Sequence, residues 1–401
     1  MRIYLDYNAG APLRPEVRAA IATFCGSDLA NPAAVHRSGQ HARRALEQAR
    51  ARVARLVGAD AREIVFTSGG TESNNLAIMG AAQAHRARRI VTSRIEHSSI
   101  LAPLEHLAHR GYEIIHLAPD REGRIAPAAI AEALGSSTAL VSIGLVNAEV
   151  GTIQDAAAIA EPIARAGALF HLDAAQAAGR IDLRVRDLRC DLMTLSGHKL
   201  GAPAGIGALY VRDRVAIAPA LFGGPQESGL RAGTPNLLGV IAFGVAAEAA
   251  SAHFKEESAR LAELSERLLA LLSARIQGLR LNGPRSSRIA NTLNLTFPGV
   301  LGESMLIALD LEGVEVSMGS ACAAGAVEPS HVLLAMGLGR EAARSSLRIS
   351  LGWNTGAEEI ERAAEIIARV WRRIRAAEPV DIEMAADRGL RGADVSPEAA
   401  R

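Results

Sequence analysis

Short apolar runs separated by helical stretches constrain this chain more than any other feature. They are "EIVFT" (63–67), "ALVSIGLVN" (139–147), "ALFHLDA" (168–174), "CDLMTLS" (190–196) and "IGALYVR" (206–212). A strand buried on both faces reads as a continuous apolar run, not as an alternation of apolar and polar residues. Helical patterns such as "DAAAIAEPIARAG" lie between several of these runs, and residues 36–57 read as an amphipathic helix. Strands alternating with helices predict an α/β fold with a mostly parallel, doubly wound sheet. From about 236 to 275 the pattern is helical. "NTLNLTFPG" and "LRISLGW" follow, with helices at about 302–311 and 356–376, which predicts a smaller α+β domain. The expected division is 14–255 for the large domain and 1–13 with 256–377 for the small one. The polar segment 378–401 has no sustained period and is expected to be flexible.

A net charge of +1 over 401 residues gives no reason to expect a nucleic-acid or membrane partner. The start "MRIYLDYNAG" has no apolar signal core, and no apolar run reads as long enough to span a bilayer. Three widely spaced cysteines, Cys25, Cys190 and Cys322, fit a reducing cytoplasm, and no metal-ligand spacing appears. Cys190 sits beside an apolar run and is expected in the core.

Of 44 basic residues only Lys199 and Lys255 are lysines. Arginine evidently serves wherever a surface cation suffices. A retained lysine is then a candidate for chemistry that needs a neutral amine, which a guanidinium cannot supply. Lys255 lies in a solvated helical stretch. Lys199 follows a strand in "TLSGHKLGAP", together with Ser196 and His198. Ligands in open α/β sheets bind beyond the carboxyl ends of the strands. Two more polar groups fall there. "FTSGGTESN" places Gly69, Gly70 and Thr71 at a strand-to-helix turn, either an ordinary glycine turn or an anion cradle. "FHLDAAQ" ends a strand with Asp173, a helix cap or a cofactor anchor, with Gln176 three residues on. Pyridoxal 5'-phosphate (PLP) needs a lysine to condense with its aldehyde, an acid opposite its ring nitrogen and a phosphate cradle. Lys199, Asp173 and the Gly70–Thr71 turn supply those types.

With these residues in place, the chain resembles a known family. "IYLDYNAGAPLRPEV", "FTSGGTESNNLAIMG", "EHSSIL", "VNAEVGTIQD", "HLDAAQ", "SGHKLGAPAGIGALY", "RAGTPN", "GSACAAGAVEPSHVL" and "RISLG" are similar to the cysteine desulfurases of the NifS/IscS type. The resemblance covers roughly residues 2–375. It implies a fold-type I PLP enzyme of the class V aminotransferase family, with a seven-stranded, mostly parallel sheet. The implied reaction removes sulfur from L-cysteine, leaving L-alanine and a persulfide on Cys322. That sulfur is passed to an iron–sulfur scaffold or another acceptor protein, for cluster assembly or thiolation. A selenocysteine lyase or another class V enzyme is the alternative.

By the same resemblance, Lys199 bonds the cofactor and moves protons. Asp173 pairs with the ring nitrogen, and His97 stacks on the ring and serves as acid or base. Gln176 bonds the phenolic oxygen. Gly70, Thr71, Ser196 and His198 bind the phosphate. Thr234 reaches the phosphate of a second copy, which implies a homodimer. Arg348 and Asn147, with Asn8 nearby, hold the substrate carboxylate. Around Cys322 the small residues of "GSACAAG" suit a carrier arm in the loop 316–328. The chain departs from the family pattern at Ala148, where a second Asn is common, and in "LGAPAG" after Lys199. Its C-terminal tail does not resemble a scaffold-docking tail.

Overall fold

A computed structural model describes residues 2–26, 30–135, 137–319 and 328–377. Cys322 and the segment 378–401 lie outside the described residues. The chain opens with a two-residue strand, β1 (Ile3–Tyr4). Seven strands then build one large sheet: β2 (Ile64–Thr67), β3 (Arg89–Ser93), β4 (Glu113–Leu117), β5 (Thr138–Gly144), β6 (Leu169–Asp173), β7 (Leu192–Ser196) and β8 (Gly207–Val211). Their spatial order is β2-β8-β7-β6-β5-β3-β4. The pairs from β7 through β6, β5 and β3 to β4 are parallel, and β8 runs antiparallel to both β7 and β2. The expected doubly wound, mostly parallel sheet is therefore present. Register pairs Ser196 and Thr67 with Gly207, so the ends of β2 and β7 meet the start of β8 at one edge.

The interior strands are apolar because helices cover both faces. Every residue of β2, β7 and β8 is buried. One face packs against the helix Arg37–Val57, which buries Ala42, Leu46, Ala49, Val53 and Val57 on a single side. The other face packs under the helix Gly70–Ala84.

The long helix Leu237–Arg275 joins two cores. Its first half places Val240, Phe243 and Ala247 in the core of the large sheet. Its second half places Leu264, Leu268 and Leu272 in a second core. The expected division between residues 255 and 256 falls inside this helix. Its first half also corrects an expectation of the sequence. It is long and apolar enough to cross a membrane by length and composition, yet 56% of that stretch is buried within the fold. Close packing explains the composition: a Cβ on Gly244 would lie 2.7 Å from Ala49 Cα.

The second core surrounds an antiparallel sheet of β9 (Arg280–Asn282), β10 (Thr292–Thr296) and β12 (Ser346–Ser350), with β10 central. The helices Gly302–Leu311 and Ala357–Ala377 pack on it. Strand β1 pairs in parallel with β11 (Val314–Glu315), so Ile3 and Leu5 belong to this core. The chain then crosses to the large sheet, and the segment Tyr7–Gly10 lies in the seam between the two.

Candidate active site

The carboxyl edge of the large sheet gathers most of the expected residues. Strand β2 leads through Ser68 and Gly69 into the helix that begins at Gly70. Gly69 has φ 155° and ψ −179°, a conformation that side chains disfavour. Its backbone also crowds β8, where a Cβ on Gly207 would sit 2.7 Å from Gly69 Cα. No side chain caps this helix, so its first N–H groups face outward with the positive end of the dipole. Gly70 packs on Ser196, and the Ser196 hydroxyl lies 3.0 Å from His198 Nδ1. Burial, then the charge of Lys199, lowers the His198 pKa to about 4, so this ring is neutral. Thr71 is exposed at the helix start.

Asp173 ends β6. Its Oδ1 accepts from the Ala175 N–H at 2.9 Å, and its Oδ2 accepts from Asn74 Nδ2 at 2.8 Å. No motif in the sequence marks Asn74. Its one signal is position, one helical turn beyond Gly70 and hence on the same side. A carboxylate only accepts, so the amide end of Asn74 must face Asp173. The same nitrogen donates to Ser99 Oγ at 2.8 Å. The Ser99 proton is then directed to His97 Nδ1, 2.7 Å away, which also accepts from the Ser99 N–H at 3.1 Å. His97 thus caps the helix Ser98–Ala108 through Nδ1 and carries its proton on Nε2. Burial lowers its pKa, Asp173 opposes that, and Lys199 and His331 add to it.

Lys199 occupies the turn after β7. Its Nζ donates to the carbonyls of Asn8 and Ala9. Burial is the largest cause that lowers its pKa to about 8, followed by the charges of Arg180 and Arg348, while Asp6 and Asp173 oppose the shift. A substantial neutral fraction therefore exists near physiological pH. Gln176 Nε2 donates to the same Asn8 carbonyl at 2.9 Å.

Arg348, at the centre of β12, enters the pocket from the second core. It is 3% exposed. Its Nη2 pairs with Asp6 at 2.8 Å, its Nη1 donates to the Ala148 carbonyl, and its buried Nε has no hydrogen-bond partner among the described residues. The other two expected substrate contacts are committed to protein. Asn8 bonds the Ala148 carbonyl, Thr292 and Asn291. Asn147 donates to the Ile95 carbonyl and accepts from the N–H groups of Glu149 and Val150. Thr234 is exposed in the loop before the long helix, apart from these groups. That loop is fastened at Arg231 to Glu72 and at Glu227 to the bidentate Arg50.

The stretches flanking Cys322 both end at this pocket. On one side Ser317 exchanges two backbone hydrogen bonds with Arg348. On the other, Ser330 Oγ donates to Glu149, and His331 Nε2 lies 3.0 Å from the Glu96 carbonyl. Cys190 is fully buried, as its apolar neighbours predict, and burial raises its thiol pKa to about 12.

Residues 3–363 match the aminotransferase class-V family model. The chain belongs to the class-V aminotransferase family. It is 42% identical over 379 residues to "Cysteine desulfurase IscS" of Dictyoglomus turgidum, covering 94% of this chain and 96% of that one. A solved "NifS-like protein" superposes with a TM-score of 0.88 at 31% identity, covering 93% of this chain and all of the other. A structure titled "SspA in complex with cysteine" matches with a TM-score of 0.78 at 35% identity, covering 88% and 99%. The fold is the fold-type I arrangement that these class-V relatives share, with a large seven-stranded sheet and a smaller α+β unit.

Proposed function

We propose that this chain is a PLP-dependent cysteine desulfurase. It takes sulfur from L-cysteine, releases L-alanine and holds the sulfur as a persulfide on Cys322. One observation carries the reading. A lysine able to be neutral, a doubly hydrogen-bonded aspartate, a helix-capping histidine and a buried arginine lie within electrostatic reach of one another, and the described stretches on both sides of Cys322 are tied to Arg348 and to the residue before His97. The names of the relatives agree with it.

The residues fit PLP. The uncapped helix start at Gly70–Thr71, with Ser196 and His198, suits a phosphate. Asp173 is set to hold a proton on a ring nitrogen, with Gln176 near the phenolic oxygen and His97 on the ring face. When bound, PLP supplies an aldehyde that captures amines and a ring that delocalises the electrons of a broken Cα–H bond. Lys199 Nζ removes and returns the Cα proton, which requires a neutral amine. Arg348 orients the substrate carboxylate through its guanidinium edge, with Asn147 and Asn8 shaping that end of the pocket. The Cys322 thiolate attacks the substrate sulfur. An S–S bond forms, the substrate C–S bond breaks, and the carbon is reprotonated. L-cysteine and an enzyme thiol thus give L-alanine and an enzyme persulfide, with atoms and charge balanced. Two copies share their sites through Thr234, and an acceptor protein, such as an iron–sulfur scaffold, removes the sulfur in a reducing cytoplasm.

Purified protein given PLP and L-cysteine is expected to form alanine and protein persulfide in equal amounts. Cys322→Ala should keep the visible absorbance of the lysine-bound cofactor and lose persulfide formation. Undiminished sulfur transfer by that variant would refute the assignment of Cys322.

A further inference from the structure

We propose that Arg180 is a positioning residue that keeps Lys199 deprotonatable and fixes the orientation of the Gln176 amide. The inference rests on the reading of Lys199 as the cofactor-binding amine. Arg180 follows the turn after β6 and lines a cavity of about 40 Å³ in the seam between the two cores, together with Lys199, Tyr7, Asn291 and Trp353. Its Nη1 donates to both the backbone carbonyl and Oε1 of Gln176, and its Nη2 donates to the Tyr7 carbonyl. Among the described residues the partners of its side chain are all neutral carbonyl oxygens. Among the described residues no carboxylate offsets its charge.

Two consequences follow. An arginine only donates, so Gln176 must turn its oxygen toward Arg180 and its Nε2 toward the Asn8 carbonyl. The Gln176 donor is thereby aimed into the pocket. The Asn8 carbonyl that takes this hydrogen bond also takes one from Lys199, so the three side chains form one chain of contacts. The second consequence is electrostatic. The cation is fixed beside an amine that works only when neutral, and like charge disfavours protonation. Other groups also face Lys199. Asp6 from the N-terminal segment and Asp173 at the end of β6 favour its protonation, and Arg348 of β12 opposes it. His198 is its neutral neighbour, and His97 feels the Lys199 charge. Across the cavity Arg14 is neutralised by a bidentate pair with Glu257. Among the cations, Arg180 is the larger influence on Lys199, ahead of Arg348.

The chain has only two lysines, so acylation of the full-length, cofactor-free protein can be mapped without ambiguity by peptide mass spectrometry. Exposed Lys255 serves as the internal control. The labelling rate of Lys199 against pH should show its midpoint displaced upward by about one pH unit in Arg180→Met and Arg180→Gln. That is about tenfold slower labelling below the midpoint. Arg180→Lys, which keeps the charge, should stay within a few tenths of a unit of wild type. Arg180→Gln, neutral but still able to donate a hydrogen bond, is the variant to read if Arg180→Met does not fold. An unmoved Lys199 midpoint in Arg180→Gln, with Lys255 unchanged, would overturn the proposal. Borohydride reduction of the PLP-loaded protein, followed by mapping of the modified lysine, tests the cofactor reading separately.

Discussion

Replacing Asn74 with alanine should separate the fold from the site. Asn74 is 1% exposed, and its Nδ2 donates to Asp173 Oδ2 and Ser99 Oγ, each at 2.8 Å. Its Oδ1 is buried and has no hydrogen-bond partner among the described residues. The substitution therefore removes two hydrogen bonds and one stranded acceptor together. A hydrogen bond to a charged group contributes about 1.5–3 kcal/mol, a neutral one about 1, and a stranded buried acceptor costs about 1–3. The terms largely offset, leaving a net loss of stability on the order of 1 kcal/mol. At the site nothing offsets the loss, because among the described residues Asp173 keeps only the Ala175 N–H as a donor. If the charged hydrogen bond is what aims Asp173, PLP affinity should fall by about 10- to 150-fold, the equivalent of 1.5–3 kcal/mol. Thermal unfolding of the cofactor-free protein and equilibrium titration with PLP, followed by visible absorbance, read the two effects independently. A variant that unfolds far below wild type yet binds PLP as tightly would refute the reasoning, because Asn74 would then serve the core and not Asp173.

Cofactor capture by the PLP-free chain should accelerate about fivefold from pH 7 to pH 8 and level off above pH 9, since the neutral fraction of an amine with a pKa of about 8 rises in that way. A stopped-flow rate that is flat across that range would contradict it. Glu96 is buried, its oxygens accept from Ser93 Oγ and the Gly144 N–H, and burial raises its pKa to about 7. The native state then binds more protons than the unfolded chain between about pH 4.5 and 7, so this residue contributes stability at low pH that is lost as pH rises through 7. Glu96→Gln should flatten that fall, as read by denaturant midpoints across the range. Gly207→Ala should lower the unfolding temperature and weaken PLP retention together. Its Cβ would meet backbone on two sides, Gly69 Cα at 2.7 Å and the Leu195 carbonyl oxygen at 2.8 Å, and overpacking of this kind costs about 1–3 kcal/mol.

The sequence made some of this site legible for physical reasons. Lys199 stood out because arginine had replaced nearly every other lysine. Asp173 and Ser196 are legible because each ends a largely apolar strand, and the ends of such strands are where ligands sit. Strands β3 and β4 carry no clear strand signal in the sequence. "EIIHL" forms the sheet edge with most of its residues at least partly exposed, and "RIVTS" is short and partly polar. Asn74 was hidden in "ESNNLA", which reads as the polar side of a helix. Arg180 was hidden among 42 arginines. Asp6 and Arg348 lie 342 positions apart, and no local pattern announces their pairing. The roles of His97 and Arg348 came from the family resemblance, because a histidine or arginine in isolation reads as an ordinary surface or core residue.

Why these distant pieces meet follows from the seam. Lys199 and Asp173 are fixed by the large sheet, whereas Arg348 is fixed by the small one. The segment Tyr7–Gly10 holds the two together. The Asn8 carbonyl takes Lys199 and Gln176, and the Asn8 side chain takes Thr292 and Asn291 of the second core. Arg348 also forms backbone hydrogen bonds in both directions with Ser317, five residues before Cys322. One isolated β-bridge thus ties the cation proposed to grip the substrate carboxylate to the backbone that leads toward Cys322. A desulfurase needs that coincidence, since the carboxylate grip fixes where the substrate sulfur lies and the thiol must reach that same place. The Ser317–Arg348 pair fixes the backbone five residues before Cys322, beside the cation proposed to hold the carboxylate.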